Sequence, residues 1–199
     1  MGQFQSREEQ DKLLEAGLVS ILASQLGSSL EEVQLPAMTC LANVCYKNQE
    51  AASIVVQTMM VNDPDGRSIL DILGCLMSRN KNRHLQLAAA RCVTYVYRAN
   101  ALMPSDPRVI FKALPCLIRI CHRNHPDAAR IAAAEMLAYL TEVDTDLQRL
   151  ASITDHLIPT LAEFLKPNVQ NYVHESIRVE FLDRSKQQDM TPEFLLVLS

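Results

Sequence analysis

Residues 84–100 read HLQLAAARCVTYVYRAN, and this segment is the best guide to how the chain folds. Its order of small, apolar and aromatic residues occurs twice more, in 33–48 (VQLPAMTCLANVCYKN) and in 130–141 (RIAAAEMLAYLT). A chain that repeats one helical pattern folds by stacking similar units, each of which contacts mainly its neighbours. The repeats therefore predict an all-α molecule whose function depends on a surface and not on a catalytic centre.

The spacing of the copies narrows the fold class. Leu41, Val93 and Leu137 occupy equivalent positions, and the intervals between them are 52 and 44 residues. Helical units of about 40–47 residues are typical of armadillo and HEAT solenoids. The longer interval contains the turn 63–66, DPDG, whose Pro and Gly suit a tight turn. We predict a right-handed α-solenoid of armadillo repeats, with about three full repeats and part of a fourth.

The segment boundaries follow from where the repeat pattern begins and ends. Residues 1–12 are polar and are expected to form a disordered N-terminus, and 13–166 form the armadillo-repeat solenoid. No matching third helix follows, so 167–199 is expected to be a divergent, disordered C-terminal tail. Solenoids need a polar cap on their last repeat. The chain is therefore expected to be a piece of a longer solenoid or an isoform with a divergent tail.

Three long helices carry the repeated pattern. They are predicted at 31–46, 84–98 and 128–141. Ser29 is followed three residues later by Glu32, which fits a capping box at the start of the first long helix.

Charge is distributed in blocks along the chain. Residues 1–66 have a net charge of −6, 67–130 of +8, and 131–199 of −6, which gives −4 for the whole. The basic residues of the middle block are scattered over loops and helices without a recognised nucleic-acid motif. We therefore expect no nucleic-acid partner.

The six cysteines and the apolar runs indicate in which cellular compartment the protein is expected. Several cysteines take positions where another copy has Met or a small apolar residue, as reduced core cysteines do. No run approaches the roughly 18 apolar residues of a membrane span, and the N-terminus has no signal-peptide core. Gly2 and Ser6 fit a short myristoylation pattern, but a plain N-terminus is preferred. The expected location is cytoplasmic and nuclear, without a membrane partner.

One group of residues has the side chains of a zinc site: Cys116, Cys121, His122 and His125. Residues five apart on a helix point about 140° away from each other, so the two thiolates would not converge. A catalytic thiol would need a neighbouring base and a pocket, whereas these cysteines fall in helices that pack in the repeat pattern. We predict core cysteines, no metal and no cofactor.

Acidic residues cluster at Glu142, Asp144 and Asp146, between two predicted helices. Carboxylates at a helix start cap its free N–H groups and complement its dipole, so capping is the preferred interpretation. The chain contains no Gly-rich phosphate loop. These observations together predict that the protein is not an enzyme.

Residues 85–166 carry a more specific resemblance. AARCVTYVYRANAL, KALPCLIRIC, AEMLAYL and DLQRLASITDHLIPTLAEFLK resemble the armadillo subunits of CTLH (in yeast, GID) E3 ubiquitin ligases. Residues 13–84 fit the same architecture less closely, and 167–199 departs from it. The resemblance implies a non-catalytic scaffold that binds substrate-receptor and RING/LisH-CTLH subunits and supports proteasomal degradation.

Two other functional interpretations stay open. One is a generic armadillo adaptor that binds peptides in signalling or adhesion, and the other is a fragment without an independent role. An importin-type receptor is disfavoured, because such proteins use repeated Trp and Asn and this chain has no Trp.

The polar and aromatic face of the long helices is the candidate partner-binding groove. Its members are Thr39, Asn43, Tyr46, Arg91, Tyr95, Arg98, Glu135, Tyr139 and Glu142. Arg91 and Arg98 flank one tyrosine, and Glu135 and Glu142 flank the next, so the face would change charge along its length. Such steps set a partner's register, and Tyr and Arg are common interface anchors. The alternative is a solvated face with intramolecular Arg–Glu pairs.

Overall fold

The structure, a computed structural model, describes residues 7–60, 63–142, 144–154 and 156–164. This part of the chain is helical, and its only β contact is an isolated bridge. The helices are α1 (Arg7–Glu15), α2 (Leu18–Leu26), α3 (Glu31–Cys45), α4 (Gln49–Gln57), α5 (Ile69–Leu76), α6 (Arg83–Arg98), α7 (Leu114–Cys121, preceded by the π-helical turn Val109–Ala113), α8 (Asp127–Thr141), α9 (Thr145–Ser152) and α10 (Leu157–Phe164).

The long helices α3, α6 and α8 pack side by side, and a second layer of short helices covers them. Each long helix contacts the short helix that precedes it, α2, α5 or α7 respectively. This arrangement confirms the armadillo-type helical solenoid. The long helices also begin and end within one residue of the predicted bounds.

Small residues allow the long helices to approach closely. Ala37, Ala89 and Ala133, which are equivalent in the three copies, are all buried. The larger Met38 and Val93 fill the space beside them and are fully buried. The buried side chains form one continuous cluster from α2 to α10, so each repeat shares its core with the next.

The start of the chain corrects one prediction. Residues 7–12, expected to be disordered, form most of α1. The reason is Gln10, which is buried although polar, and whose Nε2 donates to the carbonyl oxygen of Asn43 at 3.0 Å. Asn48 Nδ2 in turn donates to Gln10 Oε1 at 3.0 Å. These hydrogen bonds hold α1 against the end of α3. The tail predicted at 167–199 and residues 1–6 lie outside the described residues.

The predicted capping box is also wrong. Leu30 is the N-cap of α3 and makes no side-chain capping bond, so Ser29 and Glu32 do not close a box. A capping box does form at α5, where Ser68 and Asp71 bond reciprocally. Ser68 is held there by the antiparallel bridge that it forms with Met59.

The residues that lengthen the second unit form a closed loop before α5. Met60 N donates to the carbonyl oxygen of Arg67 at 2.8 Å, and Arg67 Nη2 lies 2.6 Å from Asp63 Oδ1. Hydrogen bonds from Arg67 lower the pKa of Asp63 to about 2. The loop therefore absorbs the extra residues without interrupting the packing of α6 on α3. No helix among the described residues has the length and apolarity that a membrane crossing requires.

Candidate functional site

Three tyrosines of the predicted groove form a continuous stack across the long helices. The ring centroids of Tyr46 and Tyr95 are 5.0 Å apart, and those of Tyr95 and Tyr139 are 6.3 Å apart. Both pairs are edge-to-face, a geometry that stabilises by about 0.5–1.5 kcal/mol beyond the buried area. Tyr46 and Tyr95 are half-buried, and Tyr139 is nearly covered. The stack therefore joins one helix of each of three repeats into a single surface.

The register of this stack differs from the sequence alignment. An interval of 52 residues pairs Tyr46 with Arg98, whereas the structure places the Tyr46 ring against Tyr95. The cause is the end of α3, which stops at Cys45 and leaves Tyr46 in extended backbone with ψ 114°. Its side chain consequently no longer follows the helical direction and contacts the tyrosine one turn earlier on α6.

Arg98 and Glu142 form an ion pair within this surface. Arg98 Nη2 lies 2.6 Å from Glu142 Oε2, and both side chains are about a quarter exposed, at 26% and 23%. The Arg98 guanidinium also lies 4.7 Å from the centroid of Tyr139, within the range of a cation–π contact. At this position the structure contains the intramolecular Arg–Glu pair that the alternative interpretation expected.

The other predicted members, Thr39, Asn43, Arg91 and Glu135, lie on the same three helices. Thr39 is exposed, and its hydroxyl donates to the carbonyl oxygen of Leu35 at 3.0 Å. Asn43, Arg91 and Glu135 are half-buried. The exposed end of the face is therefore on α3, and the face becomes more enclosed toward α8.

A cation that the sequence analysis missed lies beside the stack. The ammonium of Lys47 is 5.2 Å from the centroid of the Tyr46 ring. Lys47 follows α3 with a positive φ of 54°, which turns the chain sharply after the helix. In the sequence, the pattern that indicates such a cation is a basic residue directly after a long helix and next to an aromatic residue.

Two buried glutamines that hydrogen-bond to the backbone of helix-to-helix turns were also not predicted from the sequence. Gln34 Nε2 donates to the carbonyl oxygen of Leu26 at 3.0 Å, at the end of the preceding short helix. The equivalent Gln86 donates to the carbonyl oxygen of Lys81 at 2.6 Å. Each side chain satisfies a backbone acceptor that a tight helix-to-helix turn leaves free. The signal was present in the aligned copies, where both glutamines precede the apolar pattern.

The third copy has an arginine at this place. Arg130 is buried, and its Nε donates to the carbonyl oxygen of Cys121 at 3.1 Å. Its Nη1 lies 2.7 Å from Asp127 Oδ1, and its Nη2 lies 3.1 Å from Glu163 Oε2. Arg130 thus ties α8 to α7 and to α10, and it holds the last described helix against the solenoid.

The prediction of core cysteines holds for Cys45, Cys92, Cys116 and Cys121, which are buried, whereas Cys40 is half-buried and Cys75 is exposed. Burial raises the pKa of Cys92 to about 12, that of Cys116 to about 11 and that of Cys121 to about 12. Cys116 and Cys121 are buried, whereas His122 is exposed. The searched, described residues contain no group of three or more His, Cys, Asp or Glu side chains arranged to hold a metal ion. The thiols act as small apolar side chains in this environment.

The acidic cluster after α8 has structural partners. Asp144 Oδ1 accepts a hydrogen bond of 2.7 Å from Leu147 N and caps α9. Glu142 binds Arg98, and Asp146 lies 3.8 Å from Arg149. The capping interpretation is therefore confirmed at Asp144, and Glu142 belongs to the long-helix surface.

Comparison with known proteins extends the resemblance seen in the sequence. No protein-family model matches the chain. Armadillo repeat-containing protein 8 from Danio rerio and that from Mus musculus are each 36% identical to it over 159 residues, 80% of this chain and 23% of the relative. The Xenopus laevis protein of the same name is 35% identical over 80% of this chain and 22% of its own length. The chain spans about a quarter of the length of these curated relatives.

Proposed function

We propose that this chain, an armadillo-type helical solenoid similar to part of armadillo repeat-containing protein 8, is a non-catalytic scaffold in a multi-subunit E3 ubiquitin ligase. In this role it binds substrate-receptor and RING/LisH-CTLH subunits of the CTLH (GID) type. It thereby supports proteasome-mediated, ubiquitin-dependent degradation in the cytoplasm and nucleus. The ligase assignment comes from the resemblance of 85–166 to the armadillo subunits of such ligases.

The observation that carries the binding role is the tyrosine stack of Tyr46, Tyr95 and Tyr139. Aromatic side chains supply a large contact area at a low entropy cost, and they are enriched where proteins bind proteins. The stack is pre-ordered by edge-to-face contacts, so little side-chain entropy is lost when a partner covers it. A partner that crosses α3, α6 and α8 would be held by three repeats at once.

The continuous core supports a scaffolding role. Buried side chains run from α2 to α10, so the repeats move as one unit. A partner bound at one repeat is therefore held at a fixed distance from the other repeats. A scaffold needs no cofactor, and its contribution to catalysis is the placement of subunits that carry out ubiquitin transfer.

A generic armadillo adaptor is the second candidate, and the same stack favours it. Tyr46 with Lys47, and Tyr139 with Arg98, place two cations over aromatic rings at the two ends of one surface. An extended peptide with apolar and acidic side chains would fit such a surface in signalling or adhesion.

Affinity capture from cells, read by mass spectrometry, tests the proposal and separates the candidates. Tagged wild-type chain is compared with Thr39→Arg, which places a bulky cation on the exposed end of the groove. The matched control is Ser20→Arg, at a site on α2 that is also exposed.

We expect RING and LisH-CTLH subunits with wild type and control, and a loss of about fivefold or more with Thr39→Arg. Ligase subunits that are equally abundant with Thr39→Arg would contradict the groove as their site. Signalling or adhesion partners without ligase subunits would favour the second candidate, and recovery of chaperones alone would show a fragment without an independent role.

A further inference from the structure

The loop between α5 and α6 has an unusual charge. Residues 78–84, SRNKNRH, contain three cations and no carboxylate, and all except Arg83 are exposed. Long helices α3 and α8 begin with Glu or Asp in their first turn, as the helix dipole favours. The first turn of α6 has no acidic residue and begins instead with Arg83 and His84.

A second basic loop lies beside the first. Arg119, near the end of α7, donates from Nη2 to the carbonyl oxygen of Met77 at 3.2 Å and to Gln86 Oε1 at 2.6 Å. These bonds hold the end of α7 against the end of α5 and the start of α6. The α7–α8 loop, which contains Arg123 and His125, is thereby brought next to the α5–α6 loop.

The pKa of His125 reflects how close the two basic loops lie to each other. Its pKa is lowered by burial and, after that, by the positive charges of Arg83, Arg119 and His122. We name the surface formed by Arg79, Lys81, Arg83, Arg123 and His125 the basic edge.

The cations of the α5–α6 loop are not neutralised by the rest of the described chain. None of its three cations, Arg79, Lys81 and Arg83, forms an ion pair with a described residue. The Nε atom of Arg83 is buried and has no hydrogen-bond partner among the described residues. Elsewhere in the +8 block, Arg67 pairs with Asp63 and Arg108 with Asp106. Much of the excess charge of the block is therefore concentrated on this loop.

Carboxylate side chains lie around the basic edge. Glu31 Oε2 accepts a hydrogen bond of 2.9 Å from Asn82, and Glu163 pairs with Arg123 and Arg130. Asp127 is held by Arg130. These carboxylates are engaged by Asn82, Arg123 and Arg130, and among the described residues none of them forms an ion pair with Arg79, Lys81 or Arg83.

We infer that the basic edge is a second docking surface, separate from the tyrosine groove, which binds a short acidic segment of a protein partner. Arginine presents paired N–H donors that match a carboxylate, and exposed cations steer an acidic partner toward its site. The inference does not depend on the ligase assignment, because it rests on charge and geometry outside the groove.

The small size of the surface favours a peptide over a nucleic acid. Duplex DNA carries about one negative charge per 1.7 Å along its axis, so it needs cations along an extended track. The basic edge is bounded by Glu31, Asp127 and Glu163, and the whole chain has a net charge of −4. A longer polyanion would run past the cations into acidic surface, whereas a segment with a few carboxylates would not.

Fluorescence anisotropy with a synthetic probe tests the inference. The probe is a fluorescein-labelled peptide of about ten residues in which Glu alternates with Ser and Gly, titrated with the full chain at low salt. The variant is Arg79→Glu with Lys81→Glu, both at exposed positions. The matched control is Lys12→Glu with Arg149→Glu, which makes the same change in net charge at side chains that are 70% and 82% exposed.

We expect the Arg79→Glu/Lys81→Glu variant to bind the peptide at least about tenfold more weakly and the control to stay within about twofold of wild type. Equal weakening by both variants would overturn the inference, because binding would then follow net charge alone. Absence of binding to the wild-type chain, or tighter binding of a single-stranded oligonucleotide of equal charge, would overturn it as well.

Discussion

Asn48 illustrates how a single polar side chain can join two repeats. It is fully buried, its Oδ1 accepts from Ala51 N at 3.1 Å as the N-cap of α4, and its Nδ2 donates to Gln10 Oε1. A buried polar group of this kind stabilises only while all its partners are present. The interaction therefore makes the position intolerant of substitution, although it lies in a turn.

Replacement of Asn48 by Ala should lower the free energy of unfolding by about 2 kcal/mol or more, because a cap is lost and a buried amide partner is left unpaired. Urea unfolding followed by circular dichroism measures the change. The exposed Asn80→Ala is the control and should stay within about 0.5 kcal/mol of wild type. Equal stability of both variants would show that the buried hydrogen bonds contribute nothing.

Thiol reactivity is a second prediction at the residue scale. Cys75 is exposed, whereas burial raises the pKa of Cys92 and of Cys121 to about 12 and thus keeps both thiols neutral at pH 8. Iodoacetamide at that pH should alkylate Cys75 first, and peptide mass spectrometry reads the order. Labelling of Cys92 at the rate of Cys75 in the folded protein would contradict the buried environment.

Helix α5 is short, and its stability depends strongly on its capping box. Ser68 N donates to Asp71 Oδ2 at 3.0 Å, and Asp71 N donates to Ser68 Oγ at 3.2 Å. The helix has only eight residues, so the N–H groups of its first turn, which have no earlier helical turn to donate to, are a large share of its backbone donors. Ser68 also belongs to the loop that closes the second unit.

Ser68→Ala should destabilise the protein by about 1 kcal/mol, since it removes the side-chain cap, and Ser29→Ala should be near neutral. Only Ser29 was predicted from the sequence to close a capping box, whereas the structure shows the box at Ser68, so the pair of variants compares the predicted site with the observed one. Thermal or urea unfolding of both measures the difference. A larger loss at Ser29 would place the box at the start of α3 instead.

The same box predicts a pH dependence. Hydrogen bonds from the backbone N–H and the side chain of Ser68 lower the pKa of Asp71 in the folded state. A carboxyl group whose pKa falls on folding stabilises at neutral pH, and this contribution is lost as the pH drops below its unfolded value of about 4. The difference in stability between wild type and Ser68→Ala should therefore shrink from pH 7 to pH 3. A constant difference would contradict this role of Asp71.

At the scale of the whole molecule, the repeated pattern predicted the fold class, the three long helices and the face on which the tyrosines lie. Those features depend on local periodicity, which one sequence displays directly. The contact of Tyr46 with Tyr95 depends on where α3 ends, and the folding of 7–12 depends on Gln10 reaching a distant turn. Both arise from tertiary contacts, so no local pattern revealed them.

The ion pair between α6 and α8 tests the coupling of repeats. Arg98→Glu and Glu142→Arg alone should each destabilise by about 1 kcal/mol, and the double variant should recover most of the loss because the pair is restored in reverse. A double-mutant cycle by urea unfolding measures the coupling. Additive losses would show that the two side chains do not interact in solution.

The proposed function rests on the binding of partners to the long-helix face. Photo-crosslinking in cells tests this binding, with a benzoylphenylalanine placed at Thr39 on the groove or at Ser20 on α2, both of them exposed. We expect ligase subunits to crosslink from Thr39 and not from Ser20. Crosslinks to those subunits from Ser20 alone, or from neither position, would contradict it.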